Sequence, residues 1–258
     1  MPEGKSEKEP FGPEVVHLDG KVAIITGSTT GIGRATALLL AKHGVKIVVY
    51  GRHEEELQDT QRELDSIGGE YLGLTADNAD EGQILRVFQE TRNRFGDIDI
   101  LINNAAMPAG SVLEMPYDEM LYVMRTNVLG YLVCLREAVS MMRRKGQGHI
   151  VNVGSLSAKV RETGSDVYVA TKAGIEAMSE SLRKVLYQEH IRISLIEPGK
   201  VGSNLAKEPP DVNEQVQAEA KGSSLETEDI ARAIYFTLTQ PERSNVLMMR
   251  IAPTIQGL

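Results

Sequence analysis

Thr26-Gly27-Ser28-Thr29-Thr30-Gly31-Ile32-Gly33 closes the β-branched run Val22-Ala23-Ile24-Ile25 and opens a helical stretch from Gly33 to His43, which Gly44 ends. Three glycines at this spacing permit a tight turn, close backbone approach to a pyrophosphate and close packing of helix on sheet. A helix starting there offers free N–H groups and its positive dipole end to phosphate oxygens. The strand before the turn and the helix after it separate this pattern from an ordinary glycine-rich loop. Gly27, Thr29, Thr30, Gly31, Ile32 and Gly33 are therefore expected to line a dinucleotide.

The same alternation continues outward. Val45–Tyr50 reads as a second strand, Glu54–Ile67 as an acid-opened helix, Tyr71–Leu74 as a third strand and Asp80–Arg94 as a helix. Ile98–Ile102 is the fourth strand, Tyr117–Arg144 a long helix, and His149–Val153 the fifth strand. A helix over Asp166–Glu189 leads to Ile191–Ile196, and a helix opened by Thr227 and ended before Pro241 leads to Val246–Ile251. Several strands are nearly continuous apolar runs, as a parallel sheet covered on both faces requires. The expected fold is α/β: a doubly wound, Rossmann-type parallel sheet of about seven strands in one domain over residues 18–258. Residues 1–17 read as a flexible arm, and the Pro- and charge-rich stretch 198–224 as a substrate lid.

Of the 258 residues, 41% are hydrophobic and 25% charged, an average globular balance. The formal net charge of −8 argues against nucleic acid and anionic membranes as partners. No apolar run reaches the ~18 residues of a membrane span, and the N-terminus has no apolar core of a secretory signal. The single cysteine, Cys134, lies in an apolar helical stretch and reads as a packing residue, consistent with a reducing, cytoplasmic location. The five histidines are scattered without metal-ligand spacing, so no metal is expected.

The second strand ends Tyr50-Gly51-Arg52. Dinucleotide sites often place an acid there for the adenosine ribose; here Gly51 takes the place and Arg52 stands beside it. A guanidinium suits a 2′-phosphate, which favours NADP over NAD. Glu54-Glu55-Glu56 reads as a helix first turn complementing the dipole.

The spacing Thr26-Gly-x-x-x-Gly-Ile-Gly33 resembles that of the short-chain dehydrogenase/reductase family, in its compact single-domain branch. Further matches follow in the family's order over nearly the whole chain. Asp77, with Asn78 beside it, sits at the family's adenine-side position. Asn103-Asn104-Ala105-Ala106 resembles its Asn-Asn-Ala-Gly, Ala106 replacing a glycine and narrowing the cleft floor by a methyl. Pro198-Gly199 and Val201 follow the sixth strand, with Ser203 where the family usually has a threonine near the carboxamide. Thr30 departs from the basic residue of many NADP-preferring members.

Asn127, Ser155, Tyr168 and Lys172 match the family's catalytic positions. Tyr168 and Lys172 lie one helical turn apart and share a face. With eight tyrosines and 28 lysines and arginines in the chain, that spacing alone decides nothing. Ser155, at the carboxyl end of the fifth strand where ligands bind in open α/β sheets, gives the pair its meaning. A free phenol titrates at roughly 10, so Lys172 is expected to draw Tyr168 down by favouring the phenolate. The resemblance implies that Lys172 also holds the nicotinamide ribose, that Ser155 holds the substrate oxygen, and that Asn127 keeps a helix kink and a water leading to Lys172. The implied reaction is hydride transfer between nicotinamide and a small alcohol or carbonyl compound, with Tyr168 exchanging the proton. Met107, with Pro108, and Leu156, Ser157, Arg161 and Lys200 are candidate substrate contacts. A non-catalytic dinucleotide-binding module is the alternative reading; the extended epimerase or dehydratase branch needs a longer chain and a second lobe. The resemblance implies that the outer faces of the long helices make a dimer interface and that dimers pair into tetramers; the apolar C-terminal run suits burial in such a homotetramer.

Overall fold

The computed structural model describes residues 16–202 and 222–255. The expected arm falls outside these apart from Val16 and His17, and so does the expected lid apart from its two ends.

Seven strands form one parallel sheet: β1 (Val22–Thr26), β2 (Lys46–Gly51), β3 (Tyr71–Thr75), β4 (Ile100–Asn103), β5 (Gly148–Val153), β6 (Ile191–Pro198) and β7 (Met248–Ile251), in the order β3-β2-β1-β4-β5-β6-β7. The helices are α1 (Gly31–Lys42), α2 (Glu54–Ile67), α3 (Glu81–Phe95), α4 (Tyr117–Met124), α5 (Gly130–Lys145), α6 (Ser157–Val160), α7 (Asp166–Leu186) and α8 (Thr227–Leu238). Every residue of β1 is buried. Ala23 and Ile25 join the core beneath α1, α2 and α8, while Val22 and Ile24 join the core beneath α3 and α5. This two-sided burial explains the unbroken apolar runs, each buried isoleucine contributing about 1.5–3 kcal/mol. Strand order reverses between β1 and β4, and the crevice beyond their carboxyl ends is where such sheets bind ligands.

Three departures from the sequence reading stand out. The expected single helix Tyr117–Arg144 is α4 and α5 separated by a π-helical turn, Arg125–Leu129. Ser157–Val160, to which the sequence reading gives no element, forms the one-turn helix α6. Strand β4 starts two residues late, because Asp99 turns its carboxylate onto the Val22 N–H (2.9 Å) at the sheet's lower edge. Among the described residues no helix is long and apolar enough to cross a membrane, and no three His, Cys, Asp or Glu side chains cluster as metal ligands.

Candidate active site

The crevice is built on Thr26. Its Oγ1 accepts from the Asn104 and Ala105 N–H groups at 2.9 and 2.8 Å, fastening the end of β1 to the loop after β4. The Asn104 amide donates back to the Thr26 and Gly27 carbonyls, both at 3.0 Å. Gly27 has φ +60°, and a Cβ there would lie 2.9 Å from the Ala105 Cα. A Cβ on Gly33 would run into the Gly27 carbonyl. Helix α1 has no side-chain N-cap and no acid in its first turn, so its positive end is left for an outside anion. This cradle fits a pyrophosphate at Gly27–Gly33.

At the adenosine end, a Cβ on Gly51 would collide with the Thr29 hydroxyl. That hydroxyl donates to Glu56 Oε2 at 3.2 Å, so Glu56 stands beside the place the missing strand-end acid would take. Arg52 Nη1 donates to the Tyr122 hydroxyl (2.7 Å), and that hydroxyl donates to Asp77 Oδ2 (2.6 Å). The Nε and Nη2 edge of Arg52 keeps no partner among the described residues. Asn78 differs from the other predicted contacts. Its carboxamide accepts from the Tyr50 hydroxyl (2.8 Å) and donates to the Thr126 carbonyl (3.0 Å), inside the core. Glu56 and Tyr122 escaped the sequence reading: one looked like dipole compensation, the other like one aromatic on a helix.

Ser155, Tyr168 and Lys172 come together where β5 ends. The Ser155 hydroxyl stands beside the Tyr168 phenol, where it favours the phenolate, and it accepts the Ser157 N–H at 3.1 Å. Lys172 is 2% exposed; its Nζ donates to the Val153 carbonyl (2.9 Å) and lies 5.7 Å from the Tyr168 ring centroid. The electrostatics differ from expectation. Burial pushes the Tyr168 phenol up to about 12, against the lowering effect of Ser155, and Glu162 pushes it further. Burial brings Lys172 down to about 7. The polypeptide itself therefore keeps the phenol protonated, because burial works against the charged forms of both groups.

Asn127 lies in the π-helical turn and is 1% exposed. Its side chain bonds the Met107 backbone and donates to the Thr171 hydroxyl at 3.3 Å. The amide of this π-helical turn is engaged with the loop after β4.

The remaining candidates ring this point unevenly. Leu156 is buried, and its N–H donates to the Pro198 carbonyl at 2.9 Å, joining the loops after β5 and β6. Gly199 N–H donates to the Ile251 carbonyl (2.7 Å), and Val201 bridges to Leu225, so both ends of the 198–224 stretch are tied. Ala106 and Met107 are half-buried beside Ala105. The Ser157 hydroxyl donates to Glu162 at 3.3 Å. Arg161 caps α6 in the left-handed region (φ +57°) and is exposed, as is Lys200. Ser203 lies outside the described residues.

Residues 21–213 match the family model described as short chain dehydrogenase. An NADP-dependent 3-hydroxy acid dehydrogenase of Schizosaccharomyces pombe is 32% identical over 246 residues, 93% of this chain and 95% of that one. An uncharacterized oxidoreductase of Staphylococcus aureus is 31% identical over 92% of this chain and 98% of its own length. Among solved structures, actinorhodin polyketide ketoreductase with NADPH superposes with a TM-score of 0.82 at 25% identity, covering 90% of this chain and 96% of that one. A metagenomic short-chain oxidoreductase in complex with NADP gives 0.79 at 27%, covering 93% and 100%.

Proposed function

The chain belongs to the short-chain dehydrogenase family, and from that premise we propose that it is an NADP-dependent reductase of small carbonyl compounds, with Tyr168 as proton donor. The observation that carries this reading is the meeting of Ser155, Tyr168 and buried Lys172 at the carboxyl edge of β5, with the Lys172 Nζ 5.7 Å from the Tyr168 ring centroid and 2.9 Å from the Val153 carbonyl. Two hydroxyls held together there can grip one carbonyl oxygen. A phenol at about 12 is fully protonated near neutrality, which suits giving a proton to an oxygen that gains charge. Lys172 stands beneath it to hold ribose hydroxyls and to balance the phenolate once the proton has left. NADPH, when bound, supplies the hydride; the oxidised form adds a positive charge near the phenol.

Arg52 supports NADP over NAD: its guanidinium is clamped beside Asp77 with one edge open for a 2′-phosphate. The yeast relative and the two solved structures point the same way. Leu129 and Leu132, apolar and exposed at and just after the π-helical turn, support the proposed homotetramer, which light scattering tests. A cytoplasmic location is part of the same reading.

Fluorescence titration with NADPH and NADH, followed by a carbonyl panel that includes 3-oxo acids, tests the function. NADPH should bind more tightly and at least one panel member should be reduced; tight binding without turnover on any would leave a non-catalytic dinucleotide module.

A further inference from the structure

At the opposite edge of the sheet from Ser155 and Tyr168, a cleft of about 410 Å³ opens where β4, β5 and β6 begin. Its walls carry Lys21, Arg183 and Arg192 together with two acids, Asp99 and Glu242. Asp99 is already committed to Lys21 (3.4 Å), Lys145 (2.7 Å) and the Val22 N–H. Glu242 acts on Arg192 through space without forming an ion pair.

Arg192 spends only Nη1, on the Gln240 and Ser244 carbonyls at 3.4 and 3.1 Å. Its Nε–Nη2 edge, the fork that meets a carboxylate or phosphate through two parallel bonds, has no partner among the described residues. Arg183 gives Nε and Nη2 to the Ile193 and Leu247 carbonyls, with Glu180 acting on it through space. Behind them, His149 is 3% exposed. Its Nε2 meets the Ser194 hydroxyl at 2.9 Å, and its Nδ1 is buried without a partner. Leu18, Ile191 and Leu238 lie at its base, all nearly buried.

We propose that this cleft binds a small organic anion, its carboxylate or phosphate oxygens on the Arg192 fork and its body within the cleft. The site is separate from the crevice at the other edge and does not depend on what that crevice does.

Calorimetric titration of the full-length protein with octanoate and with phenyl phosphate, with and without NADPH, tests the proposal. At least one probe should bind one per chain, equally well with NADPH present and in Tyr168→Phe. Affinity should fall about tenfold in Arg192→Gln, and also in Arg192→Lys, which keeps the charge and a donor but loses the fork. In the unmutated protein the His149 imidazole ¹⁵N resonances should move on titration, an outcome independent of how the variants fold. The proposal is overturned if neither probe binds by ~10 mM, if NADPH competes, or if the His149 resonances stay still. It is equally overturned if both Arg192 variants bind normally, or if binding appears only after residues 1–15 are removed, which would give the cleft to the chain's own N-terminal segment.

Discussion

Asn127 grips Met107 from both sides: its Oδ1 accepts the Met107 N–H at 2.8 Å and its Nδ2 donates to the Met107 carbonyl at 2.9 Å. A side chain in the π-helical turn thus completes a two-point bridge to the loop after β4, beside Ala105 and Ala106. Asn127→Ala leaves both Met107 backbone groups without this partner. It should cost about 2–3 kcal/mol in urea unfolding, with a fall in kcat because the cleft floor loses its anchor. Unchanged stability would show that the bridge is dispensable.

Arg52, Tyr122 and Asp77 form one hydrogen-bonded line at the adenosine end. Arg52→Gln should raise KM for NADPH about ten- to hundredfold, the worth of charge-assisted contacts to a phosphate, and move KM for NADH little. Tyr122→Phe should act in the same direction and more weakly, by loosening the guanidinium. Glu56→Gln should favour NADPH, since it removes a negative charge beside Thr29. Equal changes for both cofactors would separate Arg52 from the choice between them.

His149 gives a pH signature. Burial, with Arg192 beside it, pulls its imidazole from 6.5 to about 3 in the folded protein. Between these values the unfolded chain binds the extra proton, so stability is full above pH 6.5 and is lost as pH falls toward 3. The full span is worth about 5 kcal/mol. His149→Gln should flatten this part of the stability–pH curve measured by urea unfolding; an unchanged slope from pH 6.5 to 4 would place the acid sensitivity elsewhere.

Glu197 is wholly buried at the end of β6, with Oε2 on Arg250 Nε at 2.7 Å and Oε1 unpartnered. Arg250→Met strands that carboxylate and should destabilise by about 3–5 kcal/mol. Adding Glu197→Gln should recover most of the loss, so the double-mutant cycle reads a strong coupling; additive effects would mean the pair contributes nothing.

Much of this molecule is legible in its sequence, for reasons that differ by region. Helix α2 was bounded correctly because acids open it and Gly68, in the left-handed region, closes it. The π-helical turn was hidden, because one extra residue per turn leaves an apolar stretch apolar; Asn127 was its only trace. Helix α6 is too short to show a period. Identities at the site are legible through the family resemblance, whose catalytic positions Ser155, Tyr168 and Lys172 match in order. Their proton affinities are not, because burial is a property of the folded surroundings: Lys172 was expected to acidify Tyr168 and instead shares its desolvation. Contacts between distant segments, such as Arg52 with Tyr122 or Thr29 with Glu56, leave no local pattern.

The account turns on the Tyr168 hydroxyl, and Tyr168→Phe removes that atom alone. With a carbonyl substrate found in the panel, kcat should fall about 10²- to 10⁴-fold while the NADPH dissociation constant from fluorescence titration stays within about twofold of the parent value. Turnover near the parent rate in the phenylalanine variant would contradict the assignment of the proton donor.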